Sequence, residues 1–222
     1  MTSTARSTAL AIFVKTPGLS PLKTRLASDI GVEDATTMYL NCVRGVEAAV
    51  RALKESNPNV YVVWAVAEAA GLNSPFWQGF PVEDQGEGDL AARLGRIFNR
   101  LKATHENVIL IGGDTPHIPA VWLSNAIRTL SADGDPVAVI GPARDGGFYL
   151  LGANFSSAGI SLASVEYSLP TTLEQLSELL FSSASLSWLP QLSDIDTLAD
   201  VDFVKIEIAK YKDLLLPAQK FL

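Results

Sequence analysis

The chain has 222 residues, 48% hydrophobic and 18% charged, with a formal net charge of −7. That length suits one α/β domain, residues 1–222, with a sizeable core. The acidic balance excludes a general nucleic-acid binder, which needs a basic face to displace counterions.

Leu10 to Val14 reads as a buried first strand, too short and too soon followed by Lys15 to be a signal peptide. The loop K-T-P-G-L-S-P-L-K-T-R-L-A then opens into a helix at about Leu22, with Pro21 suited to its first position. This spacing puts Lys23 and Arg25 in the first helical turn, where cations oppose the macrodipole. An anion held by them and by the helix N-terminus would reverse that penalty. Together with Arg6 and Lys15 they form a basic cluster in a 28-residue stretch without a single acid. Lys15, Lys23 and Arg25 are therefore expected to grip the phosphates of a nucleotide; a solvated basic patch is the alternative.

Glu33 to Ser56 has helical apolar spacing and should cover the sheet. Its Cys42 is the only cysteine, which excludes an internal disulfide, fits a cytoplasmic setting and is expected to pack in the core. Asn59 to Ala67 reads as a second buried strand with Trp64 in the core, parallel to the first by a right-handed crossover. Periodicity is lost from Glu68 to Asp84, where Phe76, Trp77 and Phe80 are expected to make a small core of their own; a lid or a dimer contact is the alternative. In Q-G-E-G-D-L-A-A-R, Gln85 to Arg93, a glycine turn enters a helix running to about Lys102. Asp89 can cap that helix; alternatively Gln85 reads a base edge, with Gly86 and Gly88 leaving room for the base.

Val108 to Pro119, V-I-L-I-G-G-D-T-P-H-I-P, reads as a central parallel strand ending in Asp114, followed by a helix from about Val121 to Leu130. Ligands of open α/β sheets bind at that strand end. A carboxylate there, beside two glycines that let phosphates approach, suits a hard divalent cation such as Mg²⁺ or Mn²⁺. Asp114 could equally do no more than close the turn. His117 either touches substrate or is satisfied by backbone; with His105 it completes the histidine count, so a histidine metal cluster is not supported.

Pro136 to Gly141 is a further strand, and Gly141 to Gly152 a turn entering another. Asp145 with Gly146-Gly147 is either a hairpin turn or a group that meets a sugar, the acceptor or the metal. A helix follows from about Thr171 to Leu180, a short strand from Leu186 to Leu189, and a last helix after S-D-I-D-T-L-A-D. Asp196, with Thr197 and Asp200, has the pattern of an N-cap, and could also share a cation with Asp114. Asp194-x-Asp196 matches the glycosyltransferase Asp-x-Asp only in letters, because it does not follow a central strand. No apolar run approaches the roughly 18 residues of a spanning helix, so no membrane partner is expected.

Five segments, F-V-K-T-P-x-x-x-x-L-K-T-R-L-A, Q-G-x-G-D-L-x-x-R, I-L-I-G-G-D-T-P, G-P-A-R-D-G-G-F-Y-L-L-G and D-I-D-T-L-A-D, resemble the glycosyltransferase-like family of selenodomain-associated transferases, also linked to arsenosugar biosynthesis. The resemblance implies the nucleotide-diphospho-sugar transferase (GT-A) fold, a three-layer α/β/α Rossmann-like sandwich with a mostly parallel sheet. It implies that Lys15, Lys23 and Arg25 bind phosphate and that Gln85 to Asp89 form the base-side loop. It further implies Asp114 as metal ligand, Asp145 on the acceptor side and Asp196 as a late metal ligand. Ser20, His117, Arg144 and Tyr167 depart from the family's usual glycine, acid, glutamate and tryptophan. The expected activity is metal-dependent transfer from a nucleotide-sugar to a small-molecule acceptor, with Asp114, Asp145 and Lys23 catalytic. The alternatives are nucleotidyl transfer with pyrophosphate release, and a non-catalytic nucleotide-binding domain.

Overall fold

A computed structural model describes residues 7–155 and 162–222; Arg6 lies outside the described residues. Seven strands form one sheet: β1 (Thr8–Val14), β2 (Tyr61–Val66), β3 (Val82–Asp84), β4 (Asn107–Gly112), β5 (Val137–Pro142), β6 (Phe148–Ala153) and β7 (Ser185–Trp188). They lie in the order β3-β2-β1-β4-β6-β5-β7, and β6 alone runs antiparallel to its neighbours. Ile12 stands level with Trp64 on one side and Ile111 on the other, so the ends of β1, β2 and β4 share one rim.

The helices are α1 (Thr24–Ile30), α2 (Val32–Ser56), α3 (Leu90–Lys102), α4 (Ala120–Ser131), α5 (Thr172–Phe181) and α6 (Leu198–Tyr211). Alternation along each strand sends side chains to opposite faces. Leu10, Ile12 and Val14 join α2 and α4 in one core, while Ala9 and Ala11 join α3 and α5 in the other. This is the three-layer sandwich expected. A third cluster, including Leu26, Cys42, Ile195 and Val204, packs α1 and α6 against the outer face of α2. Burial pushes the Cys42 thiol up to about 12, so it is inert packing, as expected.

The aromatic cluster of the 68–84 loop is built around Trp64, whose ring lies 5.5 Å from both Trp77 and Phe80. It belongs to the main core instead of standing alone, and β3 was missed because three residues carry no period. Among the described residues no helix is long and apolar enough to cross a membrane.

Candidate active site

Asp114 follows β4 at the rim, and the two glycines before it serve packing. A Cβ on Gly112 would come within 2.8 Å of the Asp114 carboxylate, and one on Gly113 within 3.2 Å of the Phe13 carbonyl. They seat Asp114 and admit β1, and both also line the cavity at this rim. The Asp114 carbonyl accepts a hydrogen bond from the Ile195 N–H at 3.2 Å. Ile195 is fully buried, so in this extended segment the residues on either side of it, Asp194 and Asp196, face the same cavity as Asp114.

The Lys23 ammonium stands 2.9 Å from Asp114 Oδ2 and 3.7 Å from Asp196 Oδ1, and Arg25 lies 3.2 Å from Asp196. The helix start differs from expectation. α1 begins at Thr24, and Lys23 is its N-cap in the left-handed region, φ 44°. Pro21 lies in the loop, which Glu68 ties down by accepting from the Thr16 N–H at 2.7 Å and from the Ser20 hydroxyl. That bond gives the Ser20 hydroxyl its partner. The left-handed cap is a conformation a lysine adopts at a cost of order 1 kcal/mol, and it brings the ammonium onto the carboxylates.

These groups line a cavity of about 730 Å³ together with Lys15, Asp89, Asp145 and Asp194, within the size range of small-molecule sites. Burial works against the charge of Lys23, whose side chain is only 8% exposed, yet Asp114 and then Asp196 and Asp194 raise its pKa above the ordinary lysine value. Burial likewise opposes ionisation of Asp114, but the Lys23 ammonium outweighs it and holds the carboxyl below the usual range. Asp194 is pushed up to about 7 by burial and then by the Asp114 and Asp145 carboxylates.

Asp194 was passed over in the sequence because its place near the end of the chain hid its partner; the alternation Asp-Ile-Asp around a buried isoleucine was the readable signal. A raised carboxyl pKa means that stability fully present below about pH 4 is lost as pH rises through about 7. Asp194→Asn should therefore raise Tm at pH 8 and change it much less at pH 5, as measured by thermal melts at the two pH values.

The base-side loop is organised differently from expectation. Gln85 is 4% exposed and its amide nitrogen donates to the Ala65 carbonyl at 2.7 Å and the Val14 carbonyl at 3.3 Å. Its amide nitrogen pins the rim of β1 and β2, and the residue also lines the cavity. Gly86 lies outside the cavity lining and Gly88 inside it. Both are glycine because their φ values are 72° and 106°, which side chains disfavour. Asp89 is the N-cap of α3, accepting from Ala92 N at 2.9 Å, and also lines the cavity. Asp145 lines it too while accepting from Gly147 N at 2.8 Å in the β5–β6 hairpin, so the hairpin reading holds. Asp196 is not a cap: Thr197 is, and its N–H and hydroxyl donate to Asp200 at 2.7 and 2.8 Å.

His117 is not among the cavity-lining residues, and its Nδ1 has no hydrogen-bond partner among the described residues. It is fully buried, with Nε2 2.7 Å from Glu207 of α6. The same carboxylate accepts from the Ser193 N–H at 2.9 Å and the Ser193 hydroxyl at 3.1 Å. Burial works against its charge, but His117 and Ser193 hold it below the usual carboxylate range. Glu207 thus fastens the segment after Asp114 to the segment before Asp194. Removing it strands buried donors, so Glu207→Ala should cost about 2–4 kcal/mol in urea unfolding. The Arg144 guanidinium rests 3.8 Å from the Phe203 ring centroid.

Residues 48–169 match the family described as "Uncharacterized protein conserved in bacteria (DUF2064)". The chain belongs to that family. No curated protein matches it.

Among solved structures, this DUF2064 member is similar to a presumed nucleotide-diphospho-sugar transferase from Desulfovibrio desulfuricans G20. The two are 22% identical over 91% of this chain and 88% of the other, with a TM-score of 0.79. It is also similar to 4-diphosphocytidyl-2C-methyl-D-erythritol synthase from Anaerococcus prevotii DSM 20548, at 12% identity over 92% and 99% of the chains and a TM-score of 0.58. A CMP:2-keto-3-deoxy-manno-octonic acid synthetase complexed with CTP aligns at 13% identity over 92% and 99%, TM-score 0.55. At these identities the likeness is one of fold, and that fold is the nucleotide-diphospho-sugar transferase type.

Proposed function

We propose that this chain, working as one domain, is a metal-dependent transferase that takes a sugar from a nucleotide-sugar donor. The observation that carries the reading is the meeting of Lys23 with Asp114 and Asp196 at 2.9 and 3.7 Å in a cavity of about 730 Å³. Phosphate needs cations, a divalent metal needs carboxylates, and a nucleotide-sugar needs a roomy cleft that holds both.

The donor set fits a metal. The ammonium already stands between two carboxylates as a cation would, and Asp194, driven toward neutrality by burial and then by the Asp114 and Asp145 carboxylates, adds a further carboxyl beside them. Among the described residues no three His, Cys, Asp or Glu side chains are grouped so as to hold a metal ion, so any ion would be held by two carboxylates. Mg²⁺ or Mn²⁺ would take Asp114 and Asp196 and complete its shell with phosphate oxygens and water. Such an ion supplies charge neutralisation for the departing diphosphate.

The protein's own groups do the remainder. Lys15 and Lys23 bind the diphosphate, Arg25 offsets the charge of Asp196, and Asp145 orients the acceptor. An acceptor hydroxyl attacks the anomeric carbon, the bond from that carbon to the diphosphate oxygen breaks, and the hydroxyl proton passes to a carboxylate of the acceptor side. The segments resembling the selenodomain-associated, arsenosugar-type transferases support a sugar donor.

The placement of Lys15 and Lys23 around the end of β1 favours a second reading, nucleotidyl transfer, in which an acceptor phosphate attacks the α-phosphorus of a nucleoside triphosphate. Product analysis separates the two: only the second releases pyrophosphate, and only the first releases a nucleoside diphosphate from a nucleotide-sugar. Tight nucleotide binding without turnover, indifferent to Asp114→Asn, would instead mark a non-catalytic domain.

A further inference from the structure

We infer that Arg93 forms an anion-recognising subsite for the second substrate, which therefore carries a carboxylate or a phosphate; the assignment of that anion to the acceptor rests on the transferase reading above. Arg93 lies in the first turn of α3 and lines the cavity. Its Nε donates to the Gly88 carbonyl at 2.9 Å, and no other hydrogen bond or ion pair engages it. The other arginines of the described residues spend their guanidinium ends on the protein. Arg100 reaches Glu83 at 2.6 Å, Arg25 reaches Asp196, Arg96 donates to the Gln85 carbonyl, and Arg144 lies on Phe203. Arg93 alone is tethered by one edge with both Nη groups unclaimed.

Arg93 is an intermediate-exposure residue whose hydrogen bond to Gly88 is exposed, and a cation this early in a helix is disfavoured by the macrodipole. Packing does not explain the choice, because the bond to Gly88 needs one N–H and no charge. A fixed Nε that leaves a planar pair of Nη groups facing a cleft is the arrangement that takes an oxyanion through two parallel hydrogen bonds.

The location separates this subsite from the phosphate grip. Lys15, Lys23 and Arg25 stand on the β1–α1 side, whereas α3 packs against the turn Leu162–Ser164 that follows β6. The cavity wall there includes Leu90, Phe148 and Tyr167, with the last two rings edge-on at 6.2 Å. An apolar wall beside a fork of donors suits a small carbon body ending in an anionic group.

The test uses three probes small enough to need no wider fit: monofluorophosphate, fluoroacetate and neutral 2-fluoroethanol, each followed by ¹⁹F line broadening on the full chain. The measurement is made in a Lys15→Gln background, so that the other cation of the cavity without an ion pair does not contribute. One or both anions should broaden while fluoroethanol does not, and adding Arg93→Gln should weaken binding about 10- to 100-fold. Arg93→Lys should retain part of the binding, which a folding defect would not explain. Monofluorophosphate alone would point to a phosphorylated acceptor and fluoroacetate alone to a carboxylated one. Equal broadening with and without Arg93, or none that depends on charge, would overturn the inference. Because no nucleotide is present, loss of nucleotide binding in a separate assay would sink the transferase reading without touching this result.

Discussion

Asp114→Asn is expected to lower turnover by about 10³-fold and to abolish the extra stabilisation that a divalent cation lends to bound nucleotide. Removal of one preorganised charged group at a site of developing charge costs about 10²–10³ in rate, and here the loss of the metal's anchor adds to it. The substitution has a second effect that does not depend on any reaction. Lys23 is buried, and Asp114 is its nearest counter-charge at 2.9 Å, with Asp196 at 3.7 Å remaining. Removing one member of a fully buried pair costs about 3–5 kcal/mol. The Asp114 side chain is 36% exposed, so solvent screening reduces this to about 2 kcal/mol. Steady-state rates and urea melts on the same preparation separate the two effects.

Lys23→Met should act in opposite directions on the two ligands. Methionine keeps the apolar stem and removes the ammonium, so nucleotide affinity should fall about 10- to 100-fold with the loss of charge-assisted hydrogen bonds to phosphate. The affinity for Mn²⁺ without nucleotide should rise, because Asp114, Asp194 and Asp196 would then be left without the cation that now stands among them. Calorimetric titration with each ligand alone reads both. A fall in affinity for both would mean that Lys23 merely supports the local fold.

The strands and long helices were legible because apolar runs and helical spacing report burial directly. Leu10–Val14, the helix through Cys42 and the rim position of Asp114 needed only local pattern. The finer parts of the site depend on residues far apart in the chain. The start of α1 is set by Glu68 holding Thr16 and Ser20, and no local rule for helix starts contains that bond. His117 and Glu207 are separated by 90 positions, so the histidine's partner could not be read from its neighbours. The hold of the Val14 and Ala65 carbonyls on the Gln85 amide nitrogen was equally hidden, because β1 and β2 bring them together only in the fold. The meeting of Asp114, Asp194 and Asp196 was half-legible. The letters were present, but the backbone bond from Ile195 to Asp114 is what makes them one site.

The most direct measurement is the affinity of the wild-type chain for Mn²⁺ with and without a saturating nucleoside diphosphate, followed by the spin-resonance signal of free Mn²⁺. If carboxylates and lysines clasp metal and diphosphate together, each ligand must tighten the other by the same factor, of order 10-fold or more. Asp114→Asn must abolish that coupling. Independent binding of the two, or coupling that survives the Asp114 substitution, would contradict the account.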